Sequence, residues 1–173
     1  MTKFIKLDPK TVYMNPFSVL DDNWMLIMAG SGDQVNTMTA SWGGLGVLWN
    51  KNVAYIFVRP QRYTRELIDR SDHFSLNILD HERYKKELEY FGRASGRDED
   101  KIAQSQLTLA YSQEVPYFQE ADRVLICRKL SKQQITKDSF LEAGLAAKNY
   151  PIDDFHYVYV GEIEDFLIRE DKI

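Results

Sequence analysis

The chain has 173 residues, of which 44% are hydrophobic and 28% charged, with a net charge of −4. That is the composition of an ordinary globular domain, long enough to bury its own core without disulfides or a structural metal. The acidic balance excludes a broad nucleic-acid-binding surface, so any basic site must be local.

One cysteine, Cys127, lies in the apolar run Val124-Leu-Ile-Cys127 and reads as a small buried hydrophobe. No run approaches the roughly 18 apolar residues of a membrane span, and the N-terminus lacks the apolar core of a signal peptide. A single cytoplasmic domain over residues 1–173 is expected, with no membrane or nucleic-acid partner.

Taken in order, residues 1–22 read as irregular, because Pro9 and Pro16 limit regular structure. Trp24 to Ala29 predicts a first strand, which turns at Gly30-Ser31-Gly32-Asp33 back into Asn36–Trp42. Gly43, Gly44 and Gly46 leave room for close backbone approach. Val53 to Val58, β-branched and aromatic, predicts a central strand. Thr64 to Arg70 suits a short helix with Thr64 as its N-cap. Phe74 to Leu79 alternates apolar and polar residues as a strand does. Tyr84, Leu88 and Phe91 have helical spacing, and Asp98 to Gln104 suits another helical turn or two. Leu107–Tyr111 and Arg123–Ile135 read as extended. Asp138 to Lys148 is a helix candidate interrupted by Gly144. Phe155 to Ile168 predicts a long strand buried on both faces. Strands separated by turns, with helices inserted between some of them, indicate a mainly β fold: a closed or partly closed antiparallel barrel with peripheral helices.

The chemistry concentrates between Asn36 and Thr64. Thr37, Thr39 and Ser41 alternate, so in a strand their hydroxyls share one face. A hairpin of strand, tight loop and antiparallel strand would bring them near Arg59 and Arg62. Hydroxyls, guanidiniums and a helix start together suit a phosphate-bearing ligand. Each part has a plainer reading: alternating threonines often form a solvated strand face, and arginines often flank surface helices. Ser95-Gly96-Arg97, with Lys101 a turn further on, is a second small anion-type turn that also reads as a plain helix cap. His73, His81 and His156 lack the spacing of a metal pair, and no metal site is expected. Nor is there a nucleophile elbow or Walker loop.

Asn36-Thr-Met-Thr-Ala-Ser-Trp42, Arg59-Pro-Gln-Arg-Tyr-Thr64, Phe74-Ser-Leu-Asn77, Ser95-Gly-Arg-Asp-Glu-Asp-Lys101 and His156-Tyr-Val-Tyr-Val-Gly-Glu-Ile163 resemble the flavin reductase-like family of small flavoproteins, which includes flavoredoxins. The resemblance runs in order over nearly the whole chain. It implies an FMN-binding split β-barrel, antiparallel and Greek-key-like, assembled as a homodimer with FMN near the subunit interface. Carried over position by position, Asn36, Thr37, Met38, Thr39, Ala40, Ser41 and Trp42 would line the flavin and ribityl chain. Arg59, Arg62, Tyr63 and Thr64 would sit at the phosphate. Ser95, Gly96, Arg97 and Lys101 would close over the cofactor, and His156 would lie near the flavin.

The expected activity is hydride transfer from NADH or NADPH to flavin N5, in which the isoalloxazine carries the chemistry and the protein supplies position and electrostatics. No residue is assigned a catalytic role. Two alternatives stand beside it: a flavoredoxin-like electron-transfer flavoprotein reduced by a redox protein partner, and a flavin- or haem-binding module without turnover. The Gly-Gly-Leu-Gly insert after Trp42 and the 138–150 segment depart from looser family members, so substrate assignments do not transfer.

Overall fold

The computed structural model describes residues 3–173. Eight strands form one antiparallel sheet: β1 (Phe4–Leu7), β2 (Met25–Ser31), β3 (Gln34–Ala40), β4 (Gly43–Leu48), β5 (Lys51–Val58), β6 (His73–Ile78), β9 (Arg123–Gln134) and β10 (Tyr157–Arg169). β7 (Leu109–Ser112) and β8 (Val115–Phe118) make a separate two-stranded hairpin. The order in the large sheet is β3-β2-β6-β9-β10-β5-β4, with β1 added to the far half of β10. The helices are α1 (Pro16–Asp21), α2 (Tyr63–Arg70), α3 (His81–Arg93), α4 (Lys101–Gln104) and α5 (Leu145–Asn149). Among the described residues no helix is long and apolar enough to cross a membrane.

Side-chain alternation splits the hydrophobic residues into two cores. Inside the curled sheet, Ile27, Met38, Ala54, Ile56, Phe74, Leu125, Cys127 and Tyr159 pack together, and α2 closes one end with Leu67 and Ile68. On the other face, Leu26, Met28, Val124 and Ile126 pack under Leu88 and Phe91 of α3 and Phe118 of the β7–β8 hairpin. Cys127 is fully buried, as its apolar run suggests. β10 holds the sheet together because it is long enough to pair with β9 along most of its length, with β5 through Tyr157–Glu162 and with β1 through Phe166–Arg169. Irregularities at Val160/Gly161 and Ile163/Asp165 bend it, the usual device for curving a sheet.

Several expectations need correction. Residues 1–22 are irregular only in part: Phe4–Leu7 pairs with β10, and Asn15 caps a helix that has Pro16 in its first turn, a position where proline's missing N–H costs nothing. Residues 12–15 have no regular structure, and residues 1–2 lie outside the described residues. Thr64 is not an N-cap; Arg62 holds that place. The partner of β5 is not Asn36–Trp42 but the glycine-rich Gly43–Leu48, turning at Trp49-Asn50, both in the left-handed region. Glycine lowers strand propensity, which hid β4. The helix expected over Asp138–Lys148 is a 3-10 turn at Lys137–Ser139 followed by α5, the break falling at Gly144 with φ 82°.

Candidate functional site

β3 is an edge strand, and its two faces meet different neighbours. Thr37 Oγ1 donates to the Ile27 carbonyl at 3.0 Å and is fully buried; Thr39 Oγ1 donates to the Leu88 carbonyl of α3. The hydroxyl ladder therefore faces α3, with two of its three hydroxyls held by backbone carbonyls, and does not converge with the arginines. The opposite face does. Asn36 Nδ2 donates to Thr64 Oγ1 at 2.9 Å, joining β3 to the first turn of α2. Asn36 and Met38 line a cavity of about 260 Å³ together with Arg59, Gln61, Arg62, Tyr63, Thr64, Arg93, Ala94, Ser95, Gly96 and Lys101. Four of these are cations and none is a carboxylate.

Lys101 dominates the cavity's electrostatics. It is 2% exposed, and its ammonium donates to the carbonyls of Thr37 at 2.7 Å and Phe91 at 3.2 Å. Among the described residues no carboxylate lies within ion-pair distance of it. Burial, reinforced by the neighbouring Arg62, pushes its pKa down to about 8. Burial and Arg59 likewise lower the pKa of Arg62, which donates to the Gly92 carbonyl at 2.6 Å. Buried cations without anionic partners are costly. A bound anion would relieve that cost. The start of α2, directed into the same cavity, carries no side-chain cap, which leaves the helix's orphan amides and its positive end available to an anion.

Two further depressions lie along the same strand. One, of about 380 Å³, is lined by Trp24, Thr39, Ala40, Ser41, Leu88, Glu89, Gly92 and Arg93 and shares Arg93 with the cationic cavity. The other, of about 750 Å³, includes Ser41, Trp42, Phe57 and Tyr150 and shares Ser41 with the second. Along β3 and the residues after it, the three depressions are thus lined in turn by Asn36 and Met38, by Thr39 to Ser41, and by Ser41 and Trp42, the last among aromatic side chains. His156 stands there, 6% exposed, with its Nδ1 in a 2.8 Å hydrogen bond to the Tyr150 hydroxyl and its ring 5.2 Å from that of Trp42. Burial and Arg59 push its pKa down to about 4, so it is neutral at pH 7.

The structure thus gathers Asn36, Met38, Arg59, Arg62, Tyr63, Thr64, Ser95, Gly96 and Lys101 around one cavity. Thr39, Ala40, Ser41 and Trp42 line the two further depressions, and Thr37 points into the packed α3 face. Arg97 does not line the cavity; it donates to the Gln61 carbonyl and pairs with Glu66. Arg59 borders the cavity but is tied to Asp154 and the Asn149 carbonyl and lies over the Tyr150 ring. Sequence reading missed Arg93, Tyr150 and Phe57. Arg93 carried a signal, a cation in the last turn of a periodic helix.

The open, antiparallel sheet with its few peripheral helices is an FMN-binding split β-barrel, with a cationic cavity at a helix start. The sequence model of the flavin reductase like domain matches residues 21–173, and the chain belongs to that family. Among solved structures the chain is similar to the flavoredoxin of Methanosarcina acetivorans, at 22% identity and TM-score 0.68, over 87% of this chain and 70% of that one. It is also similar to an FMN-binding domain of a flavin reductases-like enzyme from Shewanella baltica, at 14% identity and TM-score 0.69, over 97% and 78%. A third is the styrene monooxygenase flavin reductase of Pseudomonas putida S12, at 16% identity and TM-score 0.62, over 86% and 80%. At these identities the likeness establishes the fold. No curated protein matches the chain.

Proposed function

We propose that this protein binds FMN and acts as an FMN-dependent oxidoreductase of the flavin reductase type, with NADH or NADPH as electron donor. The observation that carries the reading is the buried ammonium of Lys101 and the part-buried guanidinium of Arg62, beside an uncapped helix start in a cavity lined by no carboxylate. A phosphate monoester fits that donor set, and the depressions along β3 fit a ribityl chain and a planar ring. FMN, when bound, would supply two-electron redox chemistry at its isoalloxazine ring.

The chain's own residues do the rest. Lys101, Arg62 and the α2 start would hold the phosphate, with Thr64 fixed in place by Asn36. β3 is a sheet edge, so one side of its backbone is free to hydrogen-bond a ring lying along Met38–Ser41. Trp42, Phe57 and Tyr150 line the far end. His156 is uncharged and oriented by Tyr150, and so offers a dipole rather than a charge at that end.

The two copies of a homodimer are part of the same reading. Tyr13, Phe17, Trp42, Val47 and Trp49 are exposed on and around β4, which is the other edge of the sheet. Exposed aromatic side chains beside an open edge suit a second subunit. A dimer mass by size exclusion with light scattering is the expected result.

Anaerobic addition of NADH or NADPH to the FMN-loaded protein is expected to bleach the visible flavin band. Bleaching by a reduced ferredoxin-type donor alone would replace the reductase reading with electron transfer between proteins. No bleaching by any of these would leave a binding module. Arg62→Ala is expected to weaken FMN binding by roughly 1.5–2 kcal/mol, the lower part of the range for charged hydrogen bonds, since part of its guanidinium is already committed to Gly92. Flavin fluorescence quenching measures it, and an unchanged affinity removes Arg62 from the site.

A further inference from the structure

Between α3 and α4 the chain crosses the edge of the cationic cavity as a turn, and its grip on α2 is specific. Arg97 Nη1 donates to the Gln61 carbonyl at 2.8 Å, Nη2 pairs with Glu66, and the guanidinium lies 5.4 Å from the centre of the Tyr63 ring. All three partners belong to the first turn of α2 or the residues leading into it. The turn is also pressed inward. A Cβ on Gly96 would stand 2.4 Å from Asn36 Oδ1 and 2.9 Å from the Tyr63 ring, so only glycine lets the backbone come this close. Ser95 and Gly96 line the cavity, while Arg97, one residue on, holds them there from outside.

We propose that the Ser95–Arg97 turn is a strap, fastened by Arg97 to Gln61 and Glu66, that makes the cavity a blind end for a terminal phosphate monoester. This rests on the FMN reading and deepens it. Arg97 is then a positioning residue: it does not line the cavity, yet sets how long a phosphate-tailed flavin stays and how strongly a dinucleotide is refused. With the strap shut, a phosphate seated at Lys101 and Arg62 has the Ser95–Gly96 backbone behind it. On this proposal the adenylate extension of FAD would have to displace that backbone. With the strap loosened, both the escape of FMN and the entry of FAD become easier. A surface ion pair alone contributes little; here it acts together with a charged hydrogen bond to a carbonyl and a stacked ring.

The test compares the flavin-free wild type with Arg97→Ala and Glu66→Gln. FMN dissociation is followed by stopped-flow displacement, FMN and FAD affinities by fluorescence quenching, and the ligand-free unfolding midpoint serves as a fold control. The wild type is expected to prefer FMN to FAD. Arg97→Ala is expected to raise the FMN dissociation rate about tenfold, the equivalent of one charged hydrogen bond, and to narrow that preference. Glu66→Gln, which leaves Arg97 in place, should move both quantities the same way by a smaller factor, and decides the matter if Arg97→Ala does not fold. A purely structural role would lower the unfolding midpoint and leave the FMN-to-FAD ratio alone. A wild type that binds FMN but takes FAD equally well, or variants whose dissociation rate and ratio are unchanged, would overturn the strap. A wild type that binds neither flavin would remove the functional reading and the strap with it.

Discussion

Lys101→Met is expected to weaken FMN binding by roughly 2–3 kcal/mol, the upper range for a hydrogen bond to a charged group, without loss of the fold. Methionine keeps the length and apolar contacts of the lysine stem and deletes only the ammonium. In the ligand-free protein that ammonium is buried against two carbonyls and pushed down to about 8, first by burial and then by Arg62. A bound phosphate would reverse the shift, so binding takes up a proton when the pH is near or above 8.

Affinity is therefore expected to rise as the phosphate dianion forms at about pH 6, hold through neutrality, and fall as the pH passes about 8. Lys101→Met should abolish the alkaline fall. The stability sign is opposite. The folded pKa lies below the unfolded one, so between them the unfolded chain binds more protons. Lys101 then makes the ligand-free protein more stable as the pH rises from about 8 towards 10.5. Titrations of FMN affinity and of urea midpoint against pH check both directions. An alkaline limb that survives in Lys101→Met would assign it to another group.

The second large effect concerns the frame. Gly161 lies at the irregularity where β10 crosses β9, and a Cβ there would stand 2.5 Å from Phe74 Cζ and 2.9 Å from Cys127 Cβ. Both neighbours are fully buried in the barrel core, so neither has free space to move into. Gly161→Ala is expected to destabilise the protein by about 2–3 kcal/mol through overpacking, read as a lower urea midpoint with an unchanged slope. Gly44→Ala is the control. Its Cβ would meet only the Tyr55 ring, at an ordinary 3.5 Å, and a change within about 0.5 kcal/mol is expected of such a surface site. Equal effects at the two glycines would contradict the packing described for β10.

What the sequence could and could not reveal follows from the range of each signal. Arg59 to Thr64 was legible because a strand end, a turn and a helix start lie within six residues, and their convergence needs no tertiary information. Alternation along Asn36–Trp42 was legible too, but a period of two defines two faces and does not say which is covered. The hydroxyls of Thr37 and Thr39 suggested the phosphate face; α3, fifty residues on, packs there and holds the Thr39 hydroxyl, leaving a separate depression beside residues 39–41, while Asn36 and Met38 face the cations. The convergence of hydroxyls and arginines expected from hairpin geometry thus gives way to one of Asn36, the start of α2 and Lys101. Lys101 reads as an accessory to the Ser95–Arg97 turn and, through family resemblance, as a cofactor neighbour; nothing local to an Asp-Glu-Asp-Lys run foretells a buried ammonium. β4 and β8 were hidden by glycine and by Pro116, residues that strand propensity disfavours and sheet context overrides. The long β9 and β10 strands were plain because their apolar runs outlast any competing period.

The claim on which the rest depends is that the cavity at the start of α2 holds a phosphate. Paired titrations of the flavin-free protein with FMN and with riboflavin, which differ only in that group, test it most directly. FMN is expected to bind at least about a hundredfold more tightly than riboflavin, as one to two buried charged hydrogen bonds would give, and the gap should shrink in Lys101→Met. Riboflavin bound as tightly as FMN, with Lys101→Met without effect on either, would contradict it.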